Sequence, residues 1–359
     1  MKLIAAMSGG VDSAVAASRA KEMGHDVIGV HLALAKNPKK YRSGARGCCT
    51  IEDSHDARRA ADVIGIPFYI WDMSDEFHEN VVENFLSEYS AGRTPNPCLR
   101  CNEKIKFAAV LERAKAMGFD GVVTGHYAQN RESEMGRTLH RAIDPLKDQS
   151  YVLAVLNREQ LSGAFFPLGD TAKVDIRKEA KAKGLSVAQK PDSHDICFVP
   201  SGDNAGWLRD RLGSEVGPII DVAGNKLGEH NGAYTFTIGQ RRGLGLTVPA
   251  PTGEPRYVLR IEPTSNTVVV GERESLAITK VTGERPIWCG PTPKGDQRGF
   301  IQVRAHGQAH PCSYQRIEGE IETLVAALDE PIFGLATGQA MVIYDGDRVV
   351  GSATISETA

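Results

Sequence analysis

KLIAAMSGGVDSAVAASRAKEMG, residues 2–24, is the stretch on which the fold turns. KLIAAM (2–7) is a short apolar run, SGG (8–10) breaks it, and residues 11–23 have the composition of a helix closed by Gly24. Strand, glycine turn and helix in that order make the first half of a βα unit. Glycines at such a turn let backbone N–H groups approach an anion closely, and the helix N-terminus adds its dipole and its unpaired N–H groups. Ser8 and Ser13 offer hydroxyl donors, and Asp12 offers a carboxylate able to help hold a magnesium ion. The loop therefore reads as a phosphate cradle. It is neither G-x-x-x-x-G-K-[ST] nor G-x-G-x-x-G. The competing reading is a tight turn without a ligand. A bare Gly-Gly would deserve it; Ser-Gly-Gly-x-Asp-Ser at a strand-to-helix junction does not.

Outward from this loop the pattern repeats. DVIGVHL (26–32) is β-branched and apolar, as a buried parallel strand is. A helical stretch at 52–65 precedes the strand-like PFYIWD (67–72), and 75–92 reads as a longer helix. NEKIKFAAVLERAKAMG (102–118) reads as a helix capped by Asn102 and closed by Gly118, with DGVVTGHYA (120–128) returning as a strand. Strands and helices alternating at this spacing predict an α/β parallel sheet with helices on both faces. From about residue 204 long helices give way to glycine-rich, β-rich pieces such as GPIIDVAGNKLGEH, AYTFTIGQ, RYVLRIEP and TVVVGER. From about 273 the alternation strengthens, and Asp345-Gly346-Asp347 between two apolar runs is a hairpin signal. The division is an α/β domain over 1–203, a small central domain over 204–272 and a C-terminal β-barrel over 273–359.

A chain of 359 residues can build two or three cores, and its 41% hydrophobic content is ordinary for a globular protein. No apolar run reaches the roughly 18–20 residues that span a bilayer. The N-terminus reads as strand and turn rather than a signal peptide, so a cytoplasmic protein without membrane association is expected. Seven cysteines is an odd number, and that compartment keeps thiols reduced, which argues against a disulfide framework. Net charge is −3, so nucleic-acid binding would need local patches. Two exist: KVDIRKEAKAKGLSVAQK (173–190) and GQRRGLG (239–245). Either could equally be a solvated face.

TPNPCLRCNEKIKF (94–107) holds Cys98 and Cys101 at C-x-x-C spacing. Half a zinc site, a redox pair, and a reactive thiol with a bystander all fit that spacing. Zinc requires a second pair of ligands. Cys48-Cys49 is available, but adjacent cysteines make awkward tetrahedral ligands.

SGGVDS resembles the loop of the PP-loop ATP pyrophosphatases, which split ATP between the α and β phosphates, adenylate a carbonyl oxygen and release pyrophosphate. The resemblance implies an adenine-nucleotide α-hydrolase-like N-terminal domain. Ala6, Met7, Ser8, Gly9, Gly10, Val11, Asp12 and Ser13 would line the ATP site, and Leu32 and Gly125 would flank adenine and ribose. GRTPNPCLRCNEKIKF, TGHYA, KDQSYVL (147–153), DSHDICF (192–198) and HNGAYTFTIGQRRGLG (230–245) together resemble the bacterial tRNA-specific 2-thiouridylase family over nearly the whole chain.

That likeness implies ATP-dependent sulfur transfer to C2 of the wobble uridine of tRNAs for lysine, glutamate and glutamine. Cys101 would be the nucleophile, Cys197 the carrier of a persulfide, and Asp12 a magnesium-linked residue. Arg100, Lys104 and Lys106 are the nearby cations that could favour a thiolate. Asn96, Pro97 and Cys98 would contact the base; the family commonly has an aspartate where Cys98 stands, so Cys98 is assigned shape rather than chemistry. Lys147, Asp148 and Gln149 would touch tRNA, and His306 and Gly307 align loosely with an RNA-contacting pair. The run 173–190 becomes a tRNA-facing helix, while Cys289 and Cys312 are structural. ATP and Mg2+ are the implied cofactors, a cysteine desulfurase or sulfur-relay protein the implied donor, and a monomer the expected state. An amidating PP-loop ligase and an idle nucleotide-sensing RNA-binding protein are the alternatives; the two cysteines and the intact loop argue against them.

Overall fold

The computed structural model describes residues 1–35, 51–134, 136–192, 196–199, 202–246, 250 and 253–359. Cys48 and Cys49, raised above as zinc ligands, lie outside them. No helix among the described residues is long and apolar enough to cross a membrane.

The N-terminal unit is a five-stranded sheet. Its strands are β1 (Lys2–Ala6), β2 (Asp26–Ala33), β3 (Phe68–Asp72), β4 (Gly121–Val123) and β7 (Ala164–Phe165), in the order β3-β2-β1-β4-β7. Every pairing in it is parallel. Side-chain alternation along β1 assigns its two faces. Leu3 and Ala5 join an apolar cluster with α1 (Val11–Glu22), α2 (Ile51–Ile64) and α7 (Lys173–Ala182), whereas Ile4 joins one on the opposite face. That second cluster is filled by a helix running through Ser74–Phe77, His78–Val82 and Glu83–Ser90 (α3) and one running through Pro97–Cys101, Asn102–Ala109 and Val110–Ala116 (α4). The middle stretch of each is π-helical. The phosphate loop follows β1 and so sits at the carboxyl edge of the sheet, where α/β folds place ligands.

The start of α4 differs from the expected one. Asn96 is the cap: its side-chain oxygen accepts a hydrogen bond of 3.0 Å from the Cys98 N–H, and Pro97 occupies the first turn. Asn102 is instead inside the helix, 2% exposed, donating its amide to the Val152 carbonyl at 2.9 Å. Two cap-type residues lie in one segment, and tertiary packing claims the second. Asn96→Ala should cost about 1 kcal/mol. That loss would appear as a lower urea midpoint with an unchanged slope; an unmoved midpoint would show packing alone starting the helix.

The central unit begins with α8 (Asn204–Leu212), a helix the change of texture at 204 had hidden. It continues as a four-stranded sheet of β8 (Gly217–Ile220), β9 (Lys226–His230), β10 (Tyr257–Glu262) and β11 (Thr267–Gly271), ordered β10-β11-β8-β9. AYTFTIGQ is not a strand; it holds one 3-10 turn at Ala233–Thr235 and then irregular chain.

The C-terminal unit is a closed barrel. Strands β12 (Ala277–Trp288), β15 (Thr323–Phe333), β14 (His310–Ile317), β13 (Gln297–Gln302), β16 (Ala340–Asp345) and β17 (Arg348–Thr358) follow in that order, and β12 also pairs β17. The turn at Gly346-Asp347 joins β16 to β17, as its sequence predicts. The hairpin β5 (Gln129–Ser133) and β6 (Gly136–His140), inserted in the N-terminal unit, attaches to β17 at His140 opposite Arg348. That hairpin ties the first unit to the last.

Candidate functional site

The glycine loop has an open anion seat. Gly10 caps α1 without any side-chain hydrogen bond to the first turn. Ser13 Oγ donates to the Gly10 carbonyl at 3.0 Å and accepts from the Ser8 N–H at 3.2 Å, which sets the curvature of the loop. Gly9 has φ +78, and a Cβ there would fall 2.2 Å from the Asp53 carbonyl oxygen. Gly125 is pressed against the helix start from the other side: a Cβ on it would lie 2.6 Å from both the Asp12 carbonyl carbon and the Ser13 nitrogen. No other residue type fits at either place without moving backbone. Leu32, on β2 opposite Trp71 of β3, is buried in the cluster below. A compact, backbone-lined loop with uncapped N–H groups fits a polyphosphate.

Asp12 is held by two neighbours. Lys173 Nζ lies 2.6 Å from each of its oxygens, and the Tyr127 hydroxyl donates to Oδ1 at 2.7 Å. Burial raises the Tyr127 phenol and the Asp12 charge raises it further, so this hydroxyl stays a donor. Lys173 also reaches Asp192 Oδ1 at 3.0 Å; Asp192 takes Lys147 at 2.7 Å and Arg177 at 2.6 Å. Burial opposes ionisation of Asp192, but the hydrogen bonds from Lys147 and Lys173 outweigh it and hold the carboxyl well below the usual carboxylate range. Beneath the loop, Lys190 Nζ donates to the Gly9 carbonyl at 2.9 Å and pairs with Asp53 and Asp56 at 2.7 Å each.

The run 173–190, read above as a tRNA-facing helix, spends much of its charge inside the chain, while Lys178 and Lys181 stay exposed. Lys173, Arg177, Lys178, Lys183 and Lys190 all pair with carboxylates of this chain, and two of them frame the phosphate loop. Asp12, Asp53 and Asp192 were in view as sequence; only folding shows them as partners of the basic run. Lys173, Tyr127 and Lys190 were missed as site residues for the same reason.

The cysteines separate by environment. Cys101 is buried within the apolar cluster on the Ile4 face, and the half-buried Cys197 packs against the same cluster. Phe198 fixes the chain next to Cys197, its ring 5.3 Å from Phe85 and 5.3 Å from Trp207. Two thiols far apart in sequence thus border one apolar cluster. Cys98, one helical turn before Cys101, is exposed. Among the described residues no group of three or more His, Cys, Asp or Glu is placed to hold a metal ion. Arg100 and Lys104 both turn to Glu103, at 3.2 and 2.7 Å. Lys106 lies near His126, whose imidazole burial holds neutral, well below its ordinary pKa, with the Lys106 charge adding to the effect.

The proposed tRNA contacts divide as well. The Asp148 carboxylate accepts from the Ala142 and Ser150 N–H groups, the Ser150 hydroxyl and Arg141, leaving its side chain 8% exposed. It builds the turn into α5 (Ser150–Leu153). The Gln149 side-chain oxygen accepts the Tyr127 N–H at 2.9 Å, and the residue is half-buried. Lys147 keeps a third of its side chain exposed. Asn96 and the buried Pro97 form the cap, so of that trio Cys98 presents its side chain most openly. His306 and Gly307 are exposed on the loop between β13 and β14, and Arg241 and Arg242 are exposed in the central unit.

Cys289 and Cys312 are fully buried, and burial pushes their thiols up to about 12 and about 11. Iodoacetamide at mildly alkaline pH should therefore label Cys98 well ahead of both; early labelling of either would show that the barrel opens. The stability that protonated Cys289 contributes is whole below the ordinary thiol pKa and is lost as pH rises from there through about 12.

A phosphate loop at the carboxyl edge of a parallel sheet, followed by a central β unit and a closed barrel, defines a PP-loop α/β protein with two β-rich appendages. Family models match along that plan: a tRNA methyl transferase HUP domain over residues 1–201, a tRNA methyl transferase PRC-barrel domain over 205–272 and an aminomethyltransferase β-barrel domain over 278–355. The chain is 62% identical over 362 residues to the tRNA-specific 2-thiouridylase MnmA of Thermobifida fusca, covering 100% of this chain and 96% of that protein. It is 61% identical over 364 residues to that of Nocardioides sp., covering 100% and 98%. With that of Acidothermus cellulolyticus it shares 58% over 358 residues, again covering 100% and 98%. The chain belongs to the tRNA-specific 2-thiouridylase family.

Proposed function

We propose that this protein thiolates C2 of the wobble uridine of tRNA, using ATP to activate the oxygen and a protein persulfide to replace it. The observation that carries this reading is the placement of Cys101 and Cys197 against one apolar cluster beneath the sheet whose carboxyl edge bears the phosphate loop. Uridine C2 is a poor electrophile and its oxygen a poor leaving group. Transfer of AMP from ATP to that oxygen releases pyrophosphate and makes AMP the leaving group. The terminal sulfur of a Cys197 persulfide attacks C2 and expels AMP, leaving the base joined to Cys197 through a disulfide. The Cys101 thiolate attacks the Cys197 sulfur, so the base departs as 2-thiouridine and the two cysteines become a disulfide. The sulfane sulfur is reduced by the two electrons that the cysteines lose, and an external thiol restores them.

The loop residues Ser8 to Ser13 receive the phosphates, with Lys173 and Lys190 beside them. Magnesium bound with ATP would neutralise phosphate charge, and Asp12, paired with Lys173 in this structure, is the carboxylate of the loop that would help hold it once Lys173 gives way. The anticodon base has to be splayed from its stack to reach Cys98 and the thiols behind it. Lys147, His306, Gly307, Arg241 and Arg242 supply contacts to tRNAs for lysine, glutamate and glutamine. A cysteine desulfurase, directly or through a relay, loads Cys197. The enzyme acts as a cytoplasmic monomer, its units spanning 1–203, 204–272 and 273–359.

The test is nucleoside analysis of unmodified tRNA incubated with the protein, ATP, magnesium and a persulfide donor. One 2-thiouridine should form per AMP and pyrophosphate released. ATP consumption that yields an amidated base, or thiolation without ATP, would overturn the reading.

A further inference from the structure

The glycine pair in the phosphate loop solves one problem and creates another. Gly9, at φ +78, lets the chain turn sharply into α1. A peptide plane flanked by two glycines meets no Cβ on either side, so little in the loop itself chooses which way that plane faces. The choice matters because the peptide is planar and trans, with the Gly9 carbonyl and the Gly10 N–H pointing in opposite directions. In one orientation the plane offers an anion a donor. In the other it offers a carbonyl oxygen, which repels the anion.

Lys190 holds one of these orientations. Its Nζ donates to the Gly9 carbonyl at 2.9 Å, to Asp53 Oδ1 at 2.7 Å and to Asp56 Oδ2 at 2.7 Å. An ammonium has three N–H groups, and these acceptors use all of them. Asp53 and Asp56 lie one turn apart on α2, and the Asp53 carbonyl is packed so close to Gly9 that a Cβ there would fall 2.2 Å from it. At the other end of the side chain, the Lys190 carbonyl accepts from Arg177 of α7 at 3.0 Å. The ammonium is thus fixed from two helices. Burial opposes its charge, but the hydrogen bonds to Asp53 and Asp56 outweigh it and raise its pKa, so the group stays a cation. Gly9 is buried and Gly10 only half-buried, which agrees with a carbonyl turned inward and an N–H turned outward.

We infer that Lys190 is a positioning residue that fixes the plane of the Gly9–Gly10 peptide, so that the Gly10 N–H faces the phosphates of a bound nucleotide. The inference rests on the nucleotide reading of the loop given above. It separates the two lysines that frame the loop: Lys190 acts through the backbone and keeps its three partners when the nucleotide binds.

The experiment uses the full-length protein and two probes, the non-hydrolysable α,β-methylene analogue of ATP with magnesium and adenosine, which carries no phosphate. Affinities are read by calorimetry, and exchange of the Gly10 amide by NMR. In the wild type the bound analogue should slow exchange of the Gly10 amide, a comparison that needs no variant to fold. Lys190→Met keeps the stem and removes the donor. Its affinity for the analogue should fall at least about tenfold, the loss expected when a hydrogen bond to a charged group goes. Its affinity for adenosine should stay that of the wild type, and at saturating analogue its Gly10 amide should remain fast. Lys190→Arg can still donate to the carbonyl and should restore part of both the affinity and the protection. A merely structural lysine would weaken adenosine and the analogue together, and that result overturns the inference. So does a Gly10 amide that stays protected in saturated Lys190→Met, which would make the lysine a direct phosphate ligand. So does a wild-type Gly10 amide indifferent to the bound analogue. All three leave the proposed function standing, whereas a wild type that binds no nucleotide overturns both.

Discussion

Replacing Cys197 with alanine should end 2-thiouridine formation, and replacing Cys101 should do the same, while Cys98→Ala should keep activity within about tenfold of wild type. Loss of a group that forms covalent bonds to the reacting atoms costs on the order of a thousandfold or more. Neither cysteine can substitute for the other, because one must present a transferable sulfur and the other must accept the disulfide. Cys101 is buried and Cys197 half-buried against the same apolar cluster, whereas Cys98 is exposed at the head of α4. A Cys101→Ala change removes only a small group from that cluster, so urea unfolding should confirm a folded variant before its inactivity is read. The same variants should bind ATP and tRNA as before. A Cys98→Ala protein that folds, binds tRNA and forms no 2-thiouridine would show that the C-x-x-C pair acts as a unit.

Gly125→Ala should weaken nucleotide binding sharply, through a clash with backbone at the start of α1 and, at 3.0 Å, with the Cβ of Asp12. Its Cβ would sit 2.6 Å from two backbone atoms at the start of α1, and neither is the end of a flexible side chain. The clash is relieved only by shifting the helix N-terminus or the strand exit, which moves the N–H groups of the phosphate cradle. Overpacking of this kind costs about 1–3 kcal/mol of stability, and a displacement near an ångström at a reacting centre costs about a hundredfold in rate. ATP affinity should fall at least tenfold by calorimetry, about 1.4 kcal/mol, which lies inside that range of strain. Unchanged affinity would place the nucleotide away from the loop.

The parallel sheet, its glycine loop and the barrel hairpin were legible because each depends on local chemistry: apolar runs of strand length, Gly-Gly before a helix, and Asp-Gly between two strands. The strand boundaries of β1, β2 and β3 fall within a residue or two of their apolar runs. What was not legible depends on partners distant in sequence. Asn96 is followed by Pro97, a local cap signal that was passed over, and packing of α4 against Val152 buries Asn102 inside the helix. Residues 173–190 have the composition of an RNA-binding helix, and only the fold reveals the acidic partners that absorb their charge. Asp148 looks like a polar contact residue until its carboxylate is seen closing a turn. The hairpin at 129–140 carries no apolar run to betray that it finishes on the barrel.

Cys197 as the source of the sulfur is the central claim, and a single turnover tests it. The protein is loaded with radiolabelled sulfur as a persulfide, freed of donor, and mixed with unmodified tRNA in the presence or absence of ATP and magnesium. The label should leave Cys197 for 2-thiouridine only when ATP is present, with Cys101 and Cys197 recovered as a disulfide. Label that stays on the protein with ATP, or that reaches tRNA without it or from a Cys197→Ala variant, would contradict the account.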